Sequence, residues 1–527
     1  MTLGLFDVVG PIMHGPSSNH TGGANRIGYI AMMLMGSQPE KIRLGFHPVY
    51  MDSYMGQRSH IALIAGCLGW REYDSESLNS LAEAKSLGIP WEAYPITERE
   101  RSRNTMRVVG QIGGETWEIN GDSIGGGNII IDLINGLKTH IDGNDWVAVL
   151  IADNAELLES AKDFLCGATK LSLKTQDQGQ CLGEKWLFVG VCANKPLSSE
   201  ELPAALVAAV QEGRLVWRML PPIYKFSYCG AEPLFSTFAE LAELCKDRDL
   251  LDVAIEYECR RSAVSRQDVL DEAEFMVEMI VAALEKGEKD SIPLIGGFTD
   301  PDDGKKLLKW SCSGKTVVNE MFAKGLGRAV ILAQMNASAG RIVAAPTGGS
   351  AGGLPGALFS AAERYEIDRK GLAKAFIVAA AMGLIIGNQA SFSGTIGGCQ
   401  SEVGIGAAMG AGGICWMAGG SYEQIIQGAI IALKNVLGLS CDPPASAVEI
   451  PCIKRNAMGT AMSFFGAEMA MAGVKSGIAP DDVVEALADT QRLLPTELKF
   501  SHCGGLATTK SGLVLKKAWK EKLANMK

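Results

Sequence analysis

The sequence predicts a multidomain protein: a mixed α/β (α+β) N-terminal domain over residues 1–142, a small βαββα module over 143–213, a linker over 214–236 and a large all-α domain over 237–527. Three observations predict it. The chain is 527 residues long, enough for roughly two to four domains with a large core. Strand-like runs and helical patterns alternate in the first third, and apolar residues then recur at helical spacing almost without interruption beyond residue 237.

In chain order, Arg43-Leu44-Gly45-Phe46, Met106 to Val109 and Trp117-Glu118-Ile119 read as strands, and 24–35 reads as a helix. The loop Gly15-Pro16-Ser17-Ser18-Asn19-His20-Thr21 lies just before that helix. Its free N–H groups and short hydroxyls can hold a carboxylate, or can simply cap the helix. From Asp145 the order is a strand at Trp146 to Ile151, a helix over 155–165, strands over 170–175 and 186–191, and a helix over 203–211. This order resembles an ACT domain, a small module that often binds amino acids. Asp153-Asn154-Ala155-Glu156 lacks the Pro-Gly that shapes the usual ligand turn, so a packing role is at least as well supported as amino-acid sensing. Pro221, Pro222 and Pro233 mark the linker. Helices follow over 235–245, 249–261, 266–286, 317–334, 354–365, 372–386, 402–417, 422–437, 455–472 and 480–490. Loops rich in Gly, Pro, Ser and Thr separate them, and loops on a rigid scaffold are where reactive groups collect.

The net charge of −10, with Lys and Arg clustered only over 516–527, argues against a nucleic-acid partner. That terminal basic run reads as a solvated helix end. Thirteen cysteines, an odd number without disulfide rhythm, and no cleavable apolar N-terminus point to a reducing cytoplasm. The most apolar runs, 373–386 and 407–417, are shorter than the ~20 residues of a membrane helix and read as buried helices, so no membrane partner is expected.

Three cysteines stand in unusual company. Cys399 sits in the small-residue loop Ser391 to Gly404, and Cys441 precedes Asp442-Pro443-Pro444. Cys452 follows Ile450-Pro451, so two of the three thiols lie beside backbone-fixing prolines. Thiolates bind soft metals and iron–sulfur clusters, and three of them would leave one iron open to a substrate. The separations, 42 and 11 residues with no C-x-x-C, do not distinguish such a site from buried cysteines in a helical core. Ser313-Gly314-Lys315-Thr316 lacks the first glycine of a P-loop, a position held by Lys309, so phosphate binding is not expected.

These loops resemble the catalytic domain of the iron–sulfur-dependent L-serine dehydratases (L-serine ammonia-lyases), in a single-chain form with fused beta and alpha domains. The likeness extends over Ser313 to Thr316, Asn336-Ala337-Ser338-Ala339-Gly340-Arg341 and Ala345-Pro346-Thr347-Gly348-Gly349-Ser350-Ala351-Gly352. At the N-terminus Gly15 to Thr21 is similar to the family's GPSSSHT signature and Ser123 to Asn128 to its SIGGGN signature. The resemblance implies a [4Fe-4S] cluster on Cys399, Cys441 and Cys452, and a small amino acid, L-serine, as substrate. It also implies a homodimer, and a place in amino-acid catabolism and gluconeogenesis. The substrate's carboxylate and amine would be gripped by Ser17, Ser18, Thr21, Asn336, Arg341, Thr347, Gly348 and Ser350, with Lys315 near the pocket. The open iron would activate the β-hydroxyl while a base removes the α-proton, and the enamine formed would hydrolyse to pyruvate and ammonia.

Two departures stand out. Gln57, in Met55-Gly56-Gln57-Arg58-Ser59-His60, occupies the place of the histidine that is the family's leading candidate for the base, which leaves His60 or His20. The alternatives are a non-catalytic amino-acid-binding paralogue, or a lyase for another β-substituted amino acid such as L-cysteine. Many members also end in a cysteine that caps the open iron, whereas the late thiol here is Cys503.

Overall fold

The computed structural model describes residues 2–524 except 52, 99–101, 169–171, 194 and 502. It is a mixed helical and sheet structure with a large helical C-terminal region. The chain opens inside that helical region. The short helix Leu5–Val8 buries Leu5 and Val8 completely, and Val8 lies against the close-packed surface at Gly383 of the helix Arg369–Gln389. Next, β1 (Ile12–His14) pairs antiparallel with a strand more than 300 residues away, Ile12 opposite Val343 and His14 opposite Arg341. Residues 5–14 therefore pack in large part with the C-terminal helices.

That sheet has six strands: β2 (Lys41–Phe46), β3 (Trp91–Pro95), β4 (Thr105–Ile112), β5 (Glu115–Gly125), β6 (Asn128–Ile134) and β7 (Leu137–Ile141), in the order β3-β2-β4-β5-β6-β7. Val108, Ile119, Ile129 and Ile131 are fully buried, as β-branched side chains on a covered face should be. The helices Ala24–Met35 and Ser59–Cys67 pack on it and on each other at Gly28 and Gly66.

A second sheet holds β8 (Trp146–Ala152), β9 (Leu173–Leu182), β10 (Lys185–Cys192) and β11 (Leu215–Leu220) in the order β11-β8-β10-β9. Residues 215–220, expected as linker, form β11, which pairs with β8 along its whole length. The alternation of buried and partly buried residues from Leu215 to Leu220 is a strand pattern that Arg218 and the following prolines disguise. Lys170 and Leu171, read as the start of a strand, lie outside the described residues.

Beyond residue 237 the named elements among the described residues are helices apart from β12 (Arg341–Val343), so this part is not wholly α. The helices begin where capping chemistry directs. Ser265 accepts from the Asp268 amide, Ser421 from the Gln424 amide and Asp368 from the Gly371 amide, and Pro480 occupies a first-turn position. The central helix Arg369–Gln389 has 21 residues, longer than its apolar run suggests, and is long and apolar enough to cross a membrane. Most of it is buried, because its small and branched residues face helices on several sides. The basic C-terminal run belongs to the helix Lys510–Ala524, which is not merely a solvated end, since Trp519 is buried against Phe298.

Candidate metal and substrate site

Cys399, Cys441 and Cys452 line one pocket, together with Glu402, Ser17, Asn19, His20, Gln57, Gly349 and Phe500. All three thiols are buried. Cys399 immediately precedes the wide turn Gln400–Gly404 that opens the helix Ile405–Met417, and Cys452 is the first residue of the helix Cys452–Met471. Both sulfurs thus sit at helix N-termini, where the backbone dipole favours negative charge. Cys441 is held in an extended strap: its amide donates to the Leu498 carbonyl at 2.7 Å, and its carbonyl accepts from the Phe500 amide at 2.7 Å.

The ligand atoms of Cys399, Glu402 and Cys441 lie within 4.8 Å of one another, a grouping able to hold a metal ion. The neighbouring Cys399 thiol and then burial push Cys441, and burial and then Cys399 push Cys452, well above the ordinary cysteine pKa. Arg455, one helical turn beyond Cys452, donates to Cys399 Sγ at 3.3 Å and to the Ser440 carbonyl at 2.6 Å, and pairs with Asp442 at 2.8 Å. A guanidinium on a thiol is the partner a thiolate requires. Burial raises the Glu402 carboxyl to about 7, against the opposing pull of the Thr347 hydroxyl, which donates to it at 2.8 Å, and of Arg455.

The opposite wall comes from the N-terminal region. His20 stacks between Tyr50 and Phe500, with centroid distances of 4.3 and 5.8 Å. Asn104 donates through its amide nitrogen to the Ser123 carbonyl, so its oxygen faces His20 Nε2 at 3.2 Å and must accept. That fixes the proton on Nε2 and leaves Nδ1 as the basic atom, 3.4 Å from Ser17 Oγ. Asn19 donates to Ser393 at 2.9 Å and Thr395 to Asn104 at 3.2 Å, joining the two walls.

Of the residues expected to grip substrate, Ser17 lines this pocket. The others mostly build its walls. Asn336 donates to the Pro16 carbonyl, Thr21 to the Gln57 carbonyl and Ser350 to the Ala345 carbonyl, while Gly348 packs on the Ser18 amide. Three expectations are corrected. His60 is boxed between Tyr54 and Trp91 outside the pocket, and burial lowers it to about 4. Lys315 is exposed before the helix Glu320–Ala337, an 18-residue helix whose far end carries Asn336, so roughly 27 Å of helix separates the two ends. Arg341 is exposed and lines a different cavity. Cys503 is also exposed and does not line the cysteine pocket. Glu402, Arg455, Asn104 and Phe500 were not foreseen. Glu402 and Arg455 each follow a cysteine by three residues, one turn along, and that spacing is a usable signal.

Buried thiols, a carboxylate, a guanidinium and a histidine thus meet in one pocket, with a donor set able to hold a metal ion. Residues 245–507 match the family model described as serine dehydratase alpha chain. The chain is 38% identical over 286 residues to the probable L-serine dehydratase alpha chain of Bacillus subtilis, covering 54% of this chain and 95% of that one. It is 34% identical over 285 residues to the L-serine dehydratase alpha chain of Peptoniphilus asaccharolyticus, covering 53% and 96%. With L-serine dehydratase TdcG of Escherichia coli it shares 36% identity over 181 residues, 34% of this chain and 40% of the other. The chain belongs to the L-serine dehydratase family, matched through its helical part.

Proposed function

We infer that this chain is an L-serine ammonia-lyase that forms pyruvate and ammonia with an iron–sulfur cluster on Cys399, Cys441 and Cys452. The observation that carries this reading is the convergence of those three thiols, distant in sequence, on one pocket that also holds His20. The donor set fits a soft, cationic group: three sulfur ligands, two of them at helix N-termini, too close to be ionised together unless a cation lies among them. When bound, such a cluster supplies an open iron as a Lewis acid toward the substrate hydroxyl.

The protein's own residues do the rest. Arg455 donates to the Cys399 sulfur and ties it to the Cys441 strap through Ser440 and Asp442. His20 Nδ1 takes the α-proton, since its tautomer is set by Asn104 and its ring is clamped by Tyr50 and Phe500. Ser17 lies beside that nitrogen and orients the substrate. Glu402, protonatable near neutrality, can deliver a proton to the departing oxygen. The Phe500 strap and the Pro16–Ser17 loop form part of the pocket wall. A soluble cytoplasmic enzyme is consistent with a buried central apolar helix.

Anaerobically purified protein is expected to be brown and to release pyruvate from L-serine. Cys399→Ser, Cys441→Ser and Cys452→Ser should each deplete iron and abolish turnover, because a hydroxyl is a harder and far less acidic ligand. Cys67→Ser, Cys415→Ser and Cys503→Ser should retain iron. Full iron content in the first three variants would overturn the assignment.

A further inference from the structure

A cavity of about 570 Å³ lies away from the cysteine pocket, within the roughly 300–1,000 Å³ span of small-molecule sites. Its wall is assembled from the N-terminal segment at Phe6 to Ile12, the residues 222–226 that leave β11, and the helix Arg266–Lys289. Four of the cations in it are answered by carboxylates. Arg26 and Arg71 meet Glu72 at 2.8 and 3.2 Å, Arg261 meets Asp7 at 2.9 Å, and Lys225 pairs with Glu272. Arg341, exposed at the cavity, has no ion pair among the described residues. With Glu258, 3.6 Å from Arg261, the cavity is lined by four carboxylates against five cations, so one positive charge is uncompensated. Beside it the wall is apolar: Phe275 is 44% exposed although it is a large hydrophobic residue, and Met276 and Met279 adjoin it.

We propose that this cavity binds an amphiphilic organic monocarboxylate, its carboxylate on Arg341 and its apolar body on Phe275, Met276 and Met279, and that occupancy alters turnover at the cysteine pocket. A guanidinium fork suits a carboxylate, and the single unpaired cation selects one negative charge over two or none. The route to the other site is short. Arg341 begins β12, which pairs with β1. β1 runs directly into Gly15-Pro16-Ser17 at the cysteine pocket, and β12 runs into Thr347, the donor to Glu402. A ligand that fixes Arg341 biases both strands where they leave the cavity. The coupling, unlike the site, rests on the functional reading above.

The test is calorimetric titration of the full-length chain with 3-phenylpropionate, using 2-phenylethylamine as the cationic control and circular dichroism to confirm folding of each variant. Saturable binding of the acid but not the amine is expected, weakened about tenfold or more in Arg341→Gln and in Phe275→Asp and unchanged in Cys399→Ser. No binding to the wild type, binding undiminished by Arg341→Gln, or loss of binding in Cys399→Ser would overturn the site. In the assay with L-serine, 3-phenylpropionate should change kcat or KM without competing. Intact binding with unaltered kinetics would overturn the coupling and leave the site. A chain inactive toward L-serine that still binds the acid would count against the enzymatic reading alone.

Discussion

His60 illustrates how a single side chain can be read chemically one way and structurally another. Enclosed by Tyr54 and Trp91, its imidazole is lowered to about 4 by burial, so the folded protein binds it neutral while the unfolded chain protonates it near 6.5. The unfolded state therefore gains a proton first as pH falls. The stability His60 contributes is complete above about pH 6.5 and is lost progressively down to about 4, on the order of 3 kcal/mol at most. Urea denaturation should show His60→Gln losing less stability than wild type between pH 7 and pH 4. An unchanged slope would mean that His60 is solvated. His20 is the contrasting case: it lines the cysteine pocket, and because it is the proposed base, His20→Gln should lower kcat by about 10²–10⁴-fold while leaving iron content intact. Gln57→His should give no comparable gain if His20, as proposed, is the proton acceptor. A large gain in pyruvate release would instead identify position 57 as the degenerate base.

At the scale of elements, the spacing between the loops that carry His20 and Gln57 depends on two helices in near backbone contact. A Cβ on Gly66 would land on the Asn25 carbonyl and the Tyr29 amide, and one on Gly28 would land on the Leu63 carbonyl. Gly66→Ala must push the helices Ala24–Met35 and Ser59–Cys67 apart, at a cost of about 1–3 kcal/mol in denaturant titration and with a loss of kcat. Wild-type stability in that variant would show that the helices yield without strain. The long helices were legible in the sequence because period and caps agree, as at Ser265, Ser421 and Pro480. The β1–β12 pair was not, since two three-residue strands more than 300 positions apart carry no local pattern. β11 was hidden in a proline-flanked segment, and the wide turns at Ser18–Gly23 and Gln400–Gly404 have no periodic signature.

Across the whole molecule, the three cysteines were legible through their loops, whereas the true neighbours of Lys315, Arg341 and His60 are decided by tertiary packing that sequence proximity does not report. The same packing makes the pocket a joint product of both halves of the chain. Cys399, Cys441, Cys452, Glu402 and Arg455 come from the helical part, while Ser17, His20 and Asn104 come from the first 142 residues. A fragment of residues 237–527 retains all three pocket thiols and should therefore take up iron on anaerobic reconstitution, yet release no pyruvate. It also loses Leu5, Val8 and the β1 partner of β12, which leaves apolar surface at Gly383 and an unpaired strand edge, so its solubility should fall. Co-expression with residues 1–236 supplies the missing wall, because Asn19 and Thr395 and the pair of Asn336 with Pro16 span the break. Turnover should then return in the co-purified complex, and His20→Gln carried on the smaller fragment should abolish it again. Pyruvate release by the large fragment alone, at a rate near that of the intact chain, would show that the N-terminal wall only shields the pocket and that the proton acceptor lies among the helices.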